Sequence, residues 1–475
     1  MHDPAIYPLL VPDAPLHRRT ERDRRPGPEI ASRARAAAIL LGKAAAPGLQ
    51  KPTLVSSFRD RIDTILLAFP NYGIEQPALA TAYESLVRAL RVGTRFIVVH
   101  HKSGVRRVRK WFNAAGHPQS NVTYVPLPDY VSFTDWAEDA YVSLADGSDG
   151  SAYLMEPWEF PRAGDALIAE AVQEYTDIDA AQAPLIFQGG NCLVGDDFWL
   201  LGKDYFADSL DLIAGDRAPV EKPDRKTPEA FLRSLFKDYV DAERQLIVVG
   251  TRKEIPVRQY YATRDGKQFF LDLASGGAGL FQPIFHIDMF ITLVGRNPHG
   301  EFEVLVGSPG MADEMLGTTS PFSLDDVYDS IAKDLSGQRF KVTRNPLVHR
   351  PTVAQTMTLG RLRELATNPT DEALLDAVKE LEALGGKDAT KVRVRDWHHV
   401  TWNNCLVENS DSVGRHVYLP TFGHRPNSDL RKIDASMTKL WSGLGFQVHS
   451  LADFNEFARR QGVVHCIKKY IRRSS

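Results

Sequence analysis

The order of apolar segments constrains this chain more than any other feature. An apolar strand, an amphipathic helix, a second apolar strand and a polar loop recur five times between residues 63 and 470. The first round runs DTILLAFP (63–70), ALATAYESLVRAL and TRFIVVHH (94–101), followed by a further helix, VRRVRKWFNAAG, and the strand NVTYVPLP. The second starts at SAYLMEP (151–157) and includes the helix DALIAEAVQEY, the segment APLIFQGGNCLVGDDFWLLG and a helix near 227–240. The third runs from RQLIVVG (244–250) to FHIDMFITLVG (285–295). The fourth starts at EFEVLVGSP (301–309) and reaches VTWNNCLVEN. The fifth has RHVYLPTFG (415–423), RKIDASMTKLWSGLG, FQVHSLADF and GVVHCIKKY. Strands alternating with helices predict an α/β chain. Units of roughly 60–100 residues are longer than solenoid repeats.

The length of 475 residues alone would suggest about three domains, but a closed repeat makes one body of 61–475. Residues 1–60 read as an N-terminal arm: a Pro-, Arg- and Asp-rich start, then a short helix, EIASRARAAAILLGKAA (29–45), stopped by Pro47-Gly48. The arm can cover a site, mediate homo-oligomerisation or stay disordered. A helical insertion is expected at about 355–395, with a helical pair over 358–386. The net charge of −3 supplies no global field for nucleic acid or a membrane surface, and the basic C-terminal stretch reads as a solvated end. Three cysteines without a CxxC spacing exclude a disulfide framework and a structural zinc site. The start MHDPAIYPLLVPDAP lacks a secretory pattern, and no run reaches the ~20 apolar residues of a membrane span. The expected location is cytoplasmic.

The loops between strands carry the chemistry. FTDWAEDAY holds Trp136 and Asp139; FQGGNCLV holds Gln188, Gly189, Gly190 and Asn191; FHIDMF holds His286 and Asp288; WNNCLVE holds Asn403 and Asn404; GVVHC holds His465 and Cys466. Each has a plain alternative. Asp139 can cap a turn, the glycines can form a tight bend, and Cys192, Cys405 and Cys466 can be small core residues. The His-Ile-Asp spacing puts both side chains on one face of a strand. Two ionisable groups inside so apolar a strand are costly unless partnered.

Taken in order, Trp136-Ala-Glu-Asp139, Gly189-Gly190-Asn191, His286-Ile-Asp288 and Cys466 resemble the pentein superfamily of guanidine-modifying enzymes. The resemblance implies a five-bladed ββαβ propeller with pseudo-fivefold symmetry. HIDMFITLVG and RRQGVVHCIKKYIRR are most similar to the catalytic domain of protein-arginine deiminases, and WNNCLVEN…VYLPTFG is similar to the last blade of agmatine deiminases. Gln188 stands where agmatine and free-arginine deiminases carry Glu; protein-arginine deiminases also lack that Glu. Animal protein-arginine deiminases bind calcium and carry two immunoglobulin-like domains ahead of the catalytic one. Here only about 60 residues precede it, and Ala140 replaces the acid after the catalytic Asp, which argues against calcium.

The resemblance implies conversion of the guanidinium of peptidyl- or protein-bound arginine to citrulline and ammonia. Cys466 is the expected nucleophile and His286 the acid and base. Asp139 and Asp288 would each hold the cation with paired N–H bonds. Trp136, Gln188, Gly190, Asn191 and Asn404 are expected on the substrate. His465, on the opposite face of a terminal strand, is expected to be structural. No metal or organic cofactor is expected. A free-arginine or agmatine deiminase and an amidinotransferase are the enzymatic alternatives, and a catalytically silent binding module is the alternative of another class. Arg252 and Arg258 are candidates for a substrate carboxylate, with surface charge as the plainer explanation.

Overall fold

The computed structural model describes residues 49–215, 226–251, 258–264, 267–273, 281–319, 324–351, 355–357, 392–395, 397–426 and 428–475, with the isolated positions 220, 222, 379 and 383. The expected helix at 29–45 lies outside these residues, as does the helical pair at 358–386 apart from positions 379 and 383, together with Arg252 and the side chain of Arg258.

The first unit shows how sequence becomes structure. The run Arg61–Phe69 forms a strand whose last six residues are buried on both faces. Pro70 ends it. Pro77 opens the helix Pro77–Ala89 at a position that needs no backbone donor. Leu79, Ala82, Tyr83, Leu86 and Val87 form its buried stripe. Arg95–His101 then returns parallel to the first strand, with Leu67 opposite Val98. A parallel strand covered on both faces must be apolar throughout.

Five sheets repeat this plan. In each, an antiparallel pair is followed by one or more helices and a parallel strand. The antiparallel pairs are Val142–Asp146 with Ala152–Glu156, Cys192–Val194 with Phe198–Gly202, Ile291–Arg296 with Phe302–Ser308, and Leu406–Ser410 with Gly414–Thr421. In the fifth sheet, Lys468–Ser474 pairs with Arg61–Phe69 across almost the whole described chain. The parallel partners are Ile178–Gln182, Gln245–Val249, Phe340–Pro351, Gln447–Asp453 and Arg95–His101. A sixth sheet, of Arg258–Arg264, Lys267–Leu273, Gln355–Met357 and Val392–Arg395, stands outside the repeat. Neither it nor the helix Lys203–Ala214 is expected from the strand–helix rhythm. No helix among the described residues is long and apolar enough to cross a membrane.

Three expectations are corrected. His286–Met289 is not strand: His286 is extended, and Ile287–Met289 makes a 3-10 turn. Asn191 Oδ1 accepts from Ile287 N at 3.1 Å, and Asn191 Nδ2 donates to Phe285 O at 2.7 Å. The Asn191 amide therefore takes the place of a ladder neighbour. Val463–Ile467 is also outside the last strand, which starts at Lys468. Strand alternation does not apply to His465 and Cys466. The basic stretch is not a solvated end, because Lys468 and Lys469 are buried.

Candidate active site

One short segment precedes the first antiparallel strand of each sheet: Trp136–Tyr141, Gly189–Asn191, His286–Phe290, Trp402–Cys405 and Val463–Ile467. The candidate residues of these loops sit on the segments, with Gln188 immediately before the second. Buried side chains behind them fix their course. Asp135 accepts from Tyr83 Oη at 2.8 Å and Tyr72 Oη at 3.0 Å, and pairs with Arg460 at 2.6 Å. Asp165 accepts from Thr134 N and Thr134 Oγ1, each at 2.6 Å. The Trp402 indole donates to Asp434 on the helix Leu430–Gly443 at 2.8 Å. The Trp136 ring lies against Gly462, where an added Cβ would meet indole Cζ3 at 2.2 Å.

His286 is held from both sides. Its Nε2 lies 2.7 Å from Gln188 Oε1, so Nε2 carries a proton. Nδ1 is 3.7 Å from Asp139 Oδ1. A Cβ on Gly190 would sit 2.4 Å from Nδ1, so only glycine lets the ring lie there. Gln188, Gly190 and Asn191 thus hold His286 and its segment in place.

The nucleophile candidate sits between an amide and a carboxylate. Asn404 Oδ1 accepts from His465 N at 2.8 Å and Cys466 N at 3.2 Å, while Asn404 Nδ2 lies 3.3 Å from Cys466 Sγ. Asn404 is therefore tied to the Cys466 turn. Asp288 Oδ2 lies 3.8 Å from Cys466 Sγ. Donor atoms of His286, Asp288 and Cys466 all fall within 4.8 Å of one another, a spread that a soft divalent cation could also bridge.

Each central carboxylate is half used. Asp139 Oδ2 accepts from Arg162 Nη2 at 2.7 Å, and Arg162 Nε donates to Asp165 at 2.6 Å. Asp288 Oδ2 accepts from His465 Nδ1 at 2.8 Å. Asp139 Oδ1 and Asp288 Oδ1 are buried without a hydrogen-bond partner among the described residues. The expectation that each offers both oxygens to a cation is thereby narrowed to one each. Arg162 was not singled out in the sequence. Its only signal there is a position in FPRAGDAL, one turn before Asp165.

A second charged layer lies behind. Glu138 receives Lys468 Nζ at 2.7 Å and Lys469 Nζ at 2.9 Å, and Glu138 N donates to Cys466 O at 3.1 Å. Burial pushes the Cys466 thiol well up, with the Asp288 and Asp139 charges adding to it. Burial also holds Asp288 well above the usual carboxylate range, with Glu138 and Asp139 contributing. Asp139 is raised by burial, against the Arg162 guanidinium. Burial lowers Lys468 to about 8, against Glu138. Cys192 and Cys405 are pushed to about 12 by burial and are inert packing thiols.

The chain resembles solved structures at 11–15% identity. A structural-genomics target provisionally described as an agmatine deiminase superimposes with a TM-score of 0.53, covering 88% of this chain and 95% of that one at 14% identity. The agmatine deiminase of Enterococcus faecalis gives 0.50, with 89% and 96% covered at 15% identity. That of C. jejuni gives 0.50, with 89% and 97% covered at 11% identity. The chain has the pentein fold. No protein-family model and no curated protein matches it. Within this pentein fold, Trp136, Asp139, His286, Asp288 and Cys466 all sit on segments at the starts of strand pairs.

Proposed function

We propose that this pentein hydrolyses a guanidinium group to a ureido group and ammonia through Cys466. The observation that carries the reading is the pair of buried carboxylate oxygens, Asp139 Oδ1 and Asp288 Oδ1, left without partners around one thiol. A planar cation rich in N–H donors suits them. Trp136 lies along its stem and face. Bringing in a positive charge reverses the balance that keeps Cys466 protonated.

The thiol proton passes to His286 as Sγ bonds to the guanidinium carbon. His286 delivers that proton to one nitrogen, the C–N bond breaks and ammonia leaves. The remaining S-alkylthiouronium is attacked by water, with His286 taking the water's proton. The C–S bond then breaks, His286 returns its proton to sulfur, the added hydroxyl gives up its proton to ammonia or solvent, and the neutral ureido product departs.

The finer reading is peptidyl- or protein-bound arginine as substrate, supported by the neutral Gln188 beside His286. The second reading is agmatine, favoured by the agmatine deiminases among the similar folds. The five sheets would stand around the site as propeller blades. Three free cysteines fit a reducing, cytoplasmic setting. The full chain should be incubated with agmatine, free arginine and an arginine peptide, each with and without calcium, while ammonia and ureido product are measured. Cys466→Ala should lose turnover and keep its fold. Unchanged turnover in that variant sinks the assignment. Product seen only with an added amine points to amidinotransfer, and no product from any substrate leaves a binding module.

A further inference from the structure

His465 was set aside by strand alternation, yet its ring points at the centre of the site. We infer that His465 is a positioning residue that fixes which oxygen of Asp288 meets the guanidinium. This rests on the proposed guanidinium reading. His465 Nδ1 lies 2.8 Å from Asp288 Oδ2, and both side chains are almost fully buried. Beside a bound cation Asp288 is ionised and can only accept, so in that state Nδ1 carries the proton and Nε2 the lone pair. Burial, with Lys468 and Lys469 nearby, keeps the ring neutral by holding its pKa well below the ordinary value.

The backbone around His465 is anchored without the ring, because its own N–H goes to Asn404 Oδ1. Among the described residues the imidazole makes one hydrogen bond, and it ends on Asp288. That bond occupies Oδ2, the oxygen 3.8 Å from Cys466 Sγ, and leaves Oδ1 to accept from a ligand. Nε2 has no partner among the described residues. A cavity lined by Asp288, Thr292, Asn403 and His465 has about 10 Å³ of room for a water's centre. Arg162 does the matching job on Asp139 Oδ2.

The test compares His465→Asn, which keeps an N–H donor near Nδ1, with His465→Leu, which keeps bulk and loses the donor. For the guanidino substrate turned over by the wild type, His465→Leu should raise KM about 10- to 100-fold, the range for losing a hydrogen bond to a charged group. The fall in kcat should be smaller. His465→Asn should recover most of the loss. Alkylation of Cys466 by iodoacetamide without ligand should match wild type in both variants. Methylguanidine should protect Cys466 in wild type and His465→Asn, and poorly in His465→Leu. An Asn variant as impaired as Leu, or a Leu variant that loses its fold, overturns the inference. If the wild type turns over no guanidine but methylguanidine protection still follows the donor, the hydrolase reading falls and the positioning role stands.

Discussion

Arg162 donates to Asp139 Oδ2 at 2.7 Å, so a built-in guanidinium already occupies half of a carboxylate proposed to bind one. The same side chain bridges to Asp165, which holds the Trp136 segment through Thr134. Arg162→Met would strand two buried carboxylates, and the expected loss is about 3–5 kcal/mol in denaturant unfolding. Arg162→Lys keeps a charge but not the fork, and should retain the fold with turnover reduced about 10-fold or more. Wild-type stability in the Met variant would show that the bridge holds nothing.

Asp288→Asn should trade activity for stability. Burial raises the Asp288 carboxyl, so between the ordinary carboxylate range and its raised value the folded chain keeps a proton that the unfolded chain releases. Stability from this group is full below the ordinary range and is lost as pH rises through the raised value. Asparagine does not ionise, so the variant should melt higher than wild type at pH 8, with a smaller gap at pH 5. Turnover should disappear. Thermal melts at the two pH values decide it, and a gap that shrinks with pH contradicts the account.

The thiol of Cys466 should be protonated in the ligand-free protein across neutral pH. Burial and the two aspartates push it above the ordinary thiol range. Thiolate absorbance at 240 nm, taken as wild type minus Cys466→Ala, should appear only above the ordinary thiol range. A midpoint near 7 would mean that something other than the substrate charges the sulfur.

Glu138→Gln removes the carboxylate that bonds both Lys468 Nζ and Lys469 Nζ. Two buried ammonium groups would then share a neutral amide. The expected cost is about 3–5 kcal/mol, read as a lower denaturation midpoint. Because Glu138 N also holds Cys466 O, turnover should fall with it. A variant as stable as wild type would show that the lysines find other partners.

The strands and helices were legible because burial imposes a period on the sequence: Leu79, Ala82, Tyr83 and Leu86 mark one helix face without any structure. The site was legible as residue types in order. Its internal division of labour was not. Asn191 and Gln188 look like ligands for a substrate, but the Asn191 amide bonds the backbone at 285 and 287 and Gln188 Oε1 bonds His286. His465 was misread because a strand was assumed where a turn lies, and one wrong period flips a side chain to the other face. Arg162 and Glu138 act through partners 23 and 330 positions away, distances at which sequence pattern carries no signal.

The pairing of Lys468–Ser474 with Arg61–Phe69 joins segments up to 413 positions apart. The Cys466 turn leads directly into that last strand. Closing so wide a loop carries an entropic cost that nearer contacts do not face, and contacts of this span tend to form late. The thiol is therefore held against Asp288 only once Lys468–Ser474 has paired with Arg61–Phe69. In a refolding chain the helical signal should return first and chemistry last, so time itself keeps a half-folded molecule from touching its substrate.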